Sequence, residues 1–314
     1  MSRKIPVLAF AALVVLALCA TPLFAQSSQT SLPGTVAVAI TARSSRGSAP
    51  QLRREDVSVR EDRQARPVVS LTPLNGPDSP LQLVIFIDSS STPQLGAQFD
   101  EISRFINALP QNASVALAYS ANGSAHMDHG FTTDRATIKN ALHLPMGPAV
   151  GNTDIYGALS DLIKKWPAAG QSREVLLISD GIDVTYGLFN TQPTQNPGLQ
   201  QAIRDAQKNH IVVFSIFVSS GRATRNRFLN NNGQSSLNEL TSSTGGYSFF
   251  QGTQTPVSFR PFLDDLQQML AAQYLLTFRP APASTSGFHN LKVTTEASGV
   301  KLLAPNSVYI PASQ

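Results

Sequence analysis

The sequence predicts an α/β protein: a doubly wound, mostly parallel sheet, with a small flanking β-sandwich drawn from N-terminal and C-terminal strands. Three observations predict it. Through the middle of the chain, apolar β-branched runs alternate with helical patterns, which implies parallel strands joined by crossover helices. Two of those runs, 83–87 (LVIFI) and 175–178 (VLLI), lack polar alternation, as expected of strands buried on both faces. Short strands flank this region on both sides, and neither flank alone has enough of them for a stable sheet pair.

The elements follow in order. Residues 26–34 are rich in Ser, Thr and Gln and read as a leader; 35–41 alternates Val and Ala as a strand, and 57–59 and 68–71 are two more. The turn formers of 75–80 (NGPDSP) make a linker. After strand 83–87, Leu95, Phe99, Ile102, Ile106 and Leu109 share one helical face, and Pro110 stops that helix. Strand 114–119 follows, with 130–132 closing a hairpin from it and a short helix at 134–142. A helix begins after Thr153 and runs to about Trp166, before Pro167. Strand 175–179 leads into a polar loop, a helix at 198–209, a buried strand at 211–218 and an amphipathic helix at 257–273. Strands at 274–278, 288–295 and 308–310 complete the chain, with loop 280–287 between the first two. The division expected is an export signal at 1–25, an N-terminal β segment and linker at 26–79, the α/β domain at 80–273, and a C-terminal β segment at 274–314 that pairs with 35–74.

The chemistry concentrates where the buried strands end. Run 83–87 stops at Asp88-Ser89-Ser90-Ser91-Thr92-Pro93, in which Asp88, Ser90 and Thr92 alternate. Carboxylate and hydroxyl oxygens, without sulfur or imidazole, suit a hard dication. The same residues equally fit a helix start, with Thr92 as N-cap and Pro93 in the first turn. Two further segments bear on the choice. Gly151-Asn152-Thr153-Asp154 precedes a helix, and the second buried strand ends in Ser179-Asp180-Gly181. In a doubly wound sheet, ligands bind beyond the carboxyl ends of strands, where Asp88 and Asp180 both lie.

This three-part set resembles the von Willebrand factor type A (VWA) domain, a Rossmann-like fold. The resemblance covers about residues 80–273, including a late short helix at Leu237-Asn238-Glu239-Leu240 and the turn Thr244-Gly245-Gly246 into strand 247–250. It implies a metal-ion-dependent adhesion site with Ser90, Thr92 and Thr153 as hydroxyl ligands and Asp88 and Asp180 as carboxylates, direct or through water. The implied ion is Mg²⁺, with Mn²⁺ or Ca²⁺ as substitutes, and the implied partner is a protein presenting Asp or Glu. Ser91 stands where the family usually has Gly, and Thr92 where it usually has Ser. Asp183 and Asp154 are candidates to support the ligands, Asp154 alternatively capping the following helix. Tyr156, Tyr186, Leu188 and Phe189 are candidates for an apolar rim around the site, or for packing beneath its loops. Residues 52–62 and 273–280 (QYLLTFRP) resemble the flanks of secreted bacterial proteins called VWFA-related.

Composition sets the compartment. Arg3 and Lys4, the apolar stretch 7–20 and Ala25 before Gln26 read as a cleavable export signal, which implies an extracytoplasmic (periplasmic or secreted) protein. The stretch is shorter than the roughly 20 residues of a membrane span, so no stable span is expected after cleavage. Cys19, the only cysteine, lies within it, leaving no disulfide and no thiolate metal site afterwards. Without Arg3 and Lys4, 22 basic residues face 20 acidic ones, which is no footprint for nucleic acid.

The expected function is a protein-binding module rather than an enzyme. The chain has no Gly-x-Ser-x-Gly elbow, no Gly-rich phosphate loop and no His-Glu-x-x-His, and nothing supplies a general base beside the site. His126 and His129 read as a solvated hairpin tip, and His143, His210 and His289 as isolated residues. The alternatives are a structural envelope protein whose metal only staples loops, and a metal-assisted hydrolase.

Overall fold

A computed structural model of the chain describes residues 34–44, 47, 51–76, 79–91, 93–145, 154–167, 172–220 and 226–312. The export signal expected at 1–25 lies outside them.

The first strands are β1 (Val36–Ser44), β2 (Val57–Glu61), β3 (Gln64–Arg66), β4 (Val68–Pro73) and β5 (Leu81–Ile87). The helical layers and the central sheet continue with α1 (Phe99–Ala108), β6 (Ser114–Ala121), β7 (Ser124–Thr132), α2 (Arg135–Ala141), α3 (Ile155–Lys164), β8 (Ser172–Ser179), α4 (Pro197–Lys208), β9 (Val212–Phe217), α5 (Arg227–Thr244), β10 (Ser248–Phe249) and α6 (Arg260–Ala271). The chain closes with β11 (Gln273–Phe278), β12 (Gly287–Thr295), β13 (Val300–Leu303) and β14 (Ser307–Ile310).

The six-stranded sheet has the order β10-β9-β8-β5-β6-β7, parallel except for the antiparallel edge strand β7. Its uninterrupted apolar runs serve two cores at once. Leu83, Ile85 and Ile87 pack with Ile102, Ile106 and Ile138 and with Leu263 and Leu266 of α6. Val84 and Phe86 point the other way, into Ile155, Leu159, Leu199, Leu237 and Leu240. Period-two geometry sends alternate residues to opposite faces, so helices on both faces demand an apolar residue at every position.

The flanking strands form two four-stranded sheets, β13-β1-β11-β4 and β14-β12-β2-β3. Strands from the two ends of the chain are interleaved. Strand β1 lies between β13 and β11, with Val36 opposite Phe278 and Ile40 opposite Tyr274. Strand β2 lies between β12 and β3, with Val59 opposite Val293. Val38, Ile40, Val57, Val59, Leu276, Phe278, Leu291 and Val308 share one core. The small flanking sandwich is therefore one unit built from both ends. It joins the α/β body through Arg43, whose guanidinium donates to Asp265 at 2.8 Å and lies 4.1 Å from the centre of the Tyr247 ring.

Several boundaries differ from the sequence reading. The hairpin partner of β6 is nine residues long, not three, because the turn is made earlier, at Asn122 and Gly123 with φ of 49° and 75°. His126 and His129 therefore sit within edge strand β7, opposite Tyr119 and Leu117, and not at a hairpin tip. The helix expected to be short at 237–240 spans 18 residues and begins where the Asn226 side chain accepts from the amides of Phe228 and Leu229. The last amphipathic helix stops at Ala271, and Gln273 already belongs to β11. Strands β3 and β13 are additional to those expected.

Candidate metal centre

Parallel pairing brings Asp88 and Asp180 to the same edge. Ile87 lies opposite Ile178, and one residue later the Asp88 amide donates to the Ile178 carbonyl at 2.9 Å. Asp88 thus leaves β5 beside the β8 residues Ile178 and Ser179, which lead into Asp180. The chain then turns tightly, the Ser91 amide returning to the Asp88 carbonyl at 3.0 Å.

The Asp88 carboxylate is fully buried. Oδ1 accepts from the Ser90 amide at 2.9 Å and the Ser120 hydroxyl at 3.3 Å, and Oδ2 accepts from the Ser179 hydroxyl at 2.5 Å. The same Ser120 oxygen accepts from the Ser89 amide at 2.9 Å, so β6 also holds the turn. Burial pushes the Asp88 carboxyl above its ordinary range, against hydrogen bonds from Ser179, Ser90 and Ser120 that pull it down. Among the described residues no Lys, Arg or His forms an ion pair with Asp88.

Asp180 is also buried, and its Oδ1 accepts from the Ile182 amide at 2.8 Å. Its loop is pinned from two sides. Gly181, at φ +67°, accepts at its carbonyl from the Tyr156 hydroxyl at 2.8 Å. Gly233 of α5 lies against the loop so closely that a Cβ there would stand 2.1 Å from the Asp180 carbonyl oxygen.

Unserved oxygens stand in the loops that follow Asp88 and Asp180. The Ser90 and Ser91 hydroxyls are buried and have no hydrogen-bond partner, although each follows Asp88 within three residues. Leaving such a group unmade costs roughly 1–3 kcal/mol. Asp183 is buried too: Oδ1 accepts from the Thr185 amide at 2.8 Å, while Oδ2 has no hydrogen-bond partner and lies beside Gly198 at the start of α4. Burial raises the Asp183 carboxyl, the Thr185 bonds lower it, and the Asp154 charge raises it further. An uncompensated buried carboxylate next to orphaned hydroxyls is the donor set a hard dication would complete. Asp88, Ser90 and Asp180 thus fit such an ion.

Of the remaining sequence candidates, Thr92 and Thr153 lie outside the described residues. Asp154 is the N-cap of α3, its Oδ1 accepting from the Gly157 amide at 2.7 Å. For Tyr156, of the two alternatives the sequence offered, the structure has the second: it is fully buried, packed beneath the Asp180 loop and no part of an exposed rim. The reason is local, since Tyr156 follows buried Ile155 into the core face of α3 and its hydroxyl finds a carbonyl there. Tyr186, Leu188 and Phe189, on the loop after Asp180, are 45%, 57% and 84% exposed. The sequence reading missed Ser120 and Ser179, the two hydroxyls that hold the Asp88 carboxylate. The available signal was positional, since both stand at the carboxyl ends of strands neighbouring β5.

No protein-family model matches the chain, and no curated protein matches it. Among solved structures the chain is similar to an aerotolerance-related membrane protein from Bacteroides fragilis carrying multiple mutations to serine, at 15% identity and a TM-score of 0.43 over 60% of this chain and 98% of that one. It is also similar to the human COPII-coat protein Sec24c, at 12% identity and a TM-score of 0.43 over 77% of this chain and 45% of that one. A third is the SpRpn10 VWA domain, at 16% identity and a TM-score of 0.40 over 59% and 93%. The helix-flanked sheet of order β10-β9-β8-β5-β6-β7, with Asp88 and Asp180 at its carboxyl edge, is a doubly wound, mostly parallel α/β fold.

Proposed function

We propose that the chain is an extracytoplasmic protein-binding module whose Asp88, Ser90, Thr92, Thr153 and Asp180 hold a divalent ion, Mg²⁺ before Mn²⁺ or Ca²⁺. The observation that carries this reading is the fully buried Asp88 carboxylate beside the unserved Ser90 and Ser91 hydroxyls. When bound, the ion supplies Lewis acidity toward an Asp or Glu side chain of a partner protein. The protein's own residues do the positioning: Ser120 and Ser179 fix the Asp88 carboxylate, and Tyr156 and Gly233 fix the loop of Asp180.

A binding face is favoured over a loop staple by Tyr186, Leu188 and Phe189. A staple needs no apolar surface, whereas exposed aromatic and aliphatic side chains beside a polar centre are what a partner desolvates. In this reading the binding domain is residues 80–273, and the sandwich built from 35–74 and 274–314 presents it. The likeness of the flanks to secreted VWFA-related proteins belongs to the same proposal, as does export by a signal at 1–25. Among the described residues no helix is long and apolar enough to cross a membrane. The test is capture of partners from the native extracytoplasmic fraction by the immobilised chain, in Mg²⁺ and in excess EDTA. Proteins retained in Mg²⁺, released by EDTA and absent from an Asp88→Ala column support the proposal; retention unchanged by EDTA sinks it.

A further inference from the structure

We propose that Glu61, Asp62 and His289 form a second cation site, in the sandwich, that takes a transition dication of the zinc type. Glu61 ends β2, Asp62 follows it, and His289 lies on β12, from the other end of the chain. One ligand atom from each lies within 4.8 Å of the other two. His289 Nδ1 stands 2.8 Å from Asp62 Oδ2 and 3.3 Å from Glu61 Oε1. Ligand atoms around a tetrahedral zinc stand roughly 3.3 Å apart, a spacing that Nδ1 already approaches from each carboxylate oxygen.

The arrangement is preorganised by what holds the other oxygens. Glu61 Oε2 accepts from Arg66 Nε at 2.6 Å and from the Ala281 amide at 2.8 Å. Asp62 Oδ1 accepts from the Asn290 amide at 3.0 Å. Each carboxylate is thus fixed through one oxygen and turns the other toward the imidazole, the outer support that orients metal ligands elsewhere. Glu61 Oε1 is the independent sign of a missing partner. The Glu61 side chain is 1% exposed, and this oxygen, aimed at His289, has no hydrogen-bond partner. One ring nitrogen carries at most one proton, and Asp62 Oδ2 stands nearer to Nδ1 than Glu61 Oε1 does, so a single N–H cannot serve both carboxylates fully. One cation would serve all three atoms. An imidazole with two carboxylates selects zinc-like ions over Mg²⁺. Asp62, with a side chain 49% exposed, leaves an entry path. The ion would tie β2 to β12 and so join the two ends of the chain.

The test is titration of the EDTA-stripped, full-length protein with ZnCl₂ in excess Mg²⁺, by calorimetry and thermal melting, with Co²⁺ absorption as a second readout. The expected result is one zinc that raises the melting temperature. Its affinity should fall at least about tenfold in His289→Gln and in the solvent-facing variant Asp62→Asn, and be unchanged in Asp88→Ala. Failure to bind zinc overturns the proposal. So does zinc binding that survives both sandwich variants, or that Asp88→Ala abolishes. If His289→Gln does not fold, Asp62→Asn decides alone.

Discussion

Asp88 in the α/β body and Glu61 in the sandwich are both buried carboxylates, and the molecule treats them in opposite ways. Glu61 is met by a guanidinium at 2.6 Å and a backbone amide. Among the described residues, Asp88 is met only by hydroxyls and an amide, with no cationic side chain. Arg66 ties one Glu61 oxygen, Oε2, into the scaffold and leaves Oε1 over, whereas both Asp88 oxygens are held by dipoles alone and meet a counter-charge only when an ion arrives from solution. The contrast teaches that burial alone does not mark a site. What marks it is a buried oxygen with nothing to bond: Glu61 Oε1 in the sandwich, the Ser90 and Ser91 hydroxyls in the α/β body.

The largest effect should come from breaking the paired member. Arg66→Ala leaves Glu61 buried without its cation and should cost about 3–5 kcal/mol in denaturant unfolding, in Mg²⁺ and EDTA alike. Asp88→Asn should behave in the opposite sense: in EDTA it removes an uncompensated charge and leaves stability equal or raised, while any stabilisation by Mg²⁺ disappears. Loss of several kcal/mol in EDTA from Asp88→Asn would erase the distinction. Next, Gly233→Ala pushes a Cβ against the Asp180 carbonyl and should cost about 1–3 kcal/mol, with weaker Mg²⁺ binding by calorimetry.

Glu174 sharpens the comparison as a third case. It is fully buried on β8, and burial pushes its carboxyl up to about 8, against hydrogen bonds from Gln273 and Ser172. At neutral pH it is therefore mostly protonated. Its folded value is raised, so its stability contribution is complete below the ordinary carboxylate range and is lost as pH rises toward 8. Unfolding free energy should fall by up to about 1.4 kcal/mol per pH unit in that window, and Glu174→Gln should flatten the slope. The smallest stability effect belongs to Phe189→Ser, which should change unfolding by no more than about 0.5 kcal/mol and yet reduce partner capture.

Which parts were legible follows from the same physics. Strands β5, β8 and β9 announced themselves because burial on both faces forbids polar alternation, and Asp88 and Asp180 because a charge ends such a run. Helix α5 was half hidden, since Asn230, Asn231, Asn232 and Gly233 are poor helix formers. Asn226 caps it and Gly233 is required by contact with Asp180, both tertiary facts. Ser120 and Ser179 were invisible as supports because hydroxyls acquire that role only through strand register. Tyr156 stayed open between rim and packing because an aromatic beside a candidate loop reads the same whether it faces solvent or core. His289 looked isolated because its partner Asp62 is 227 positions away, across the β2–β12 pairing.

Thermal unfolding of the full chain in Mg²⁺ and in EDTA tests most directly whether the Asp88 site holds a cation. The melting temperature should rise with Mg²⁺ for the native sequence and for His289→Gln, and should not move for Asp88→Ala. Equal melting temperatures in Mg²⁺ and EDTA for the native sequence, or a Mg²⁺-dependent rise that persists in Asp88→Ala, would contradict it.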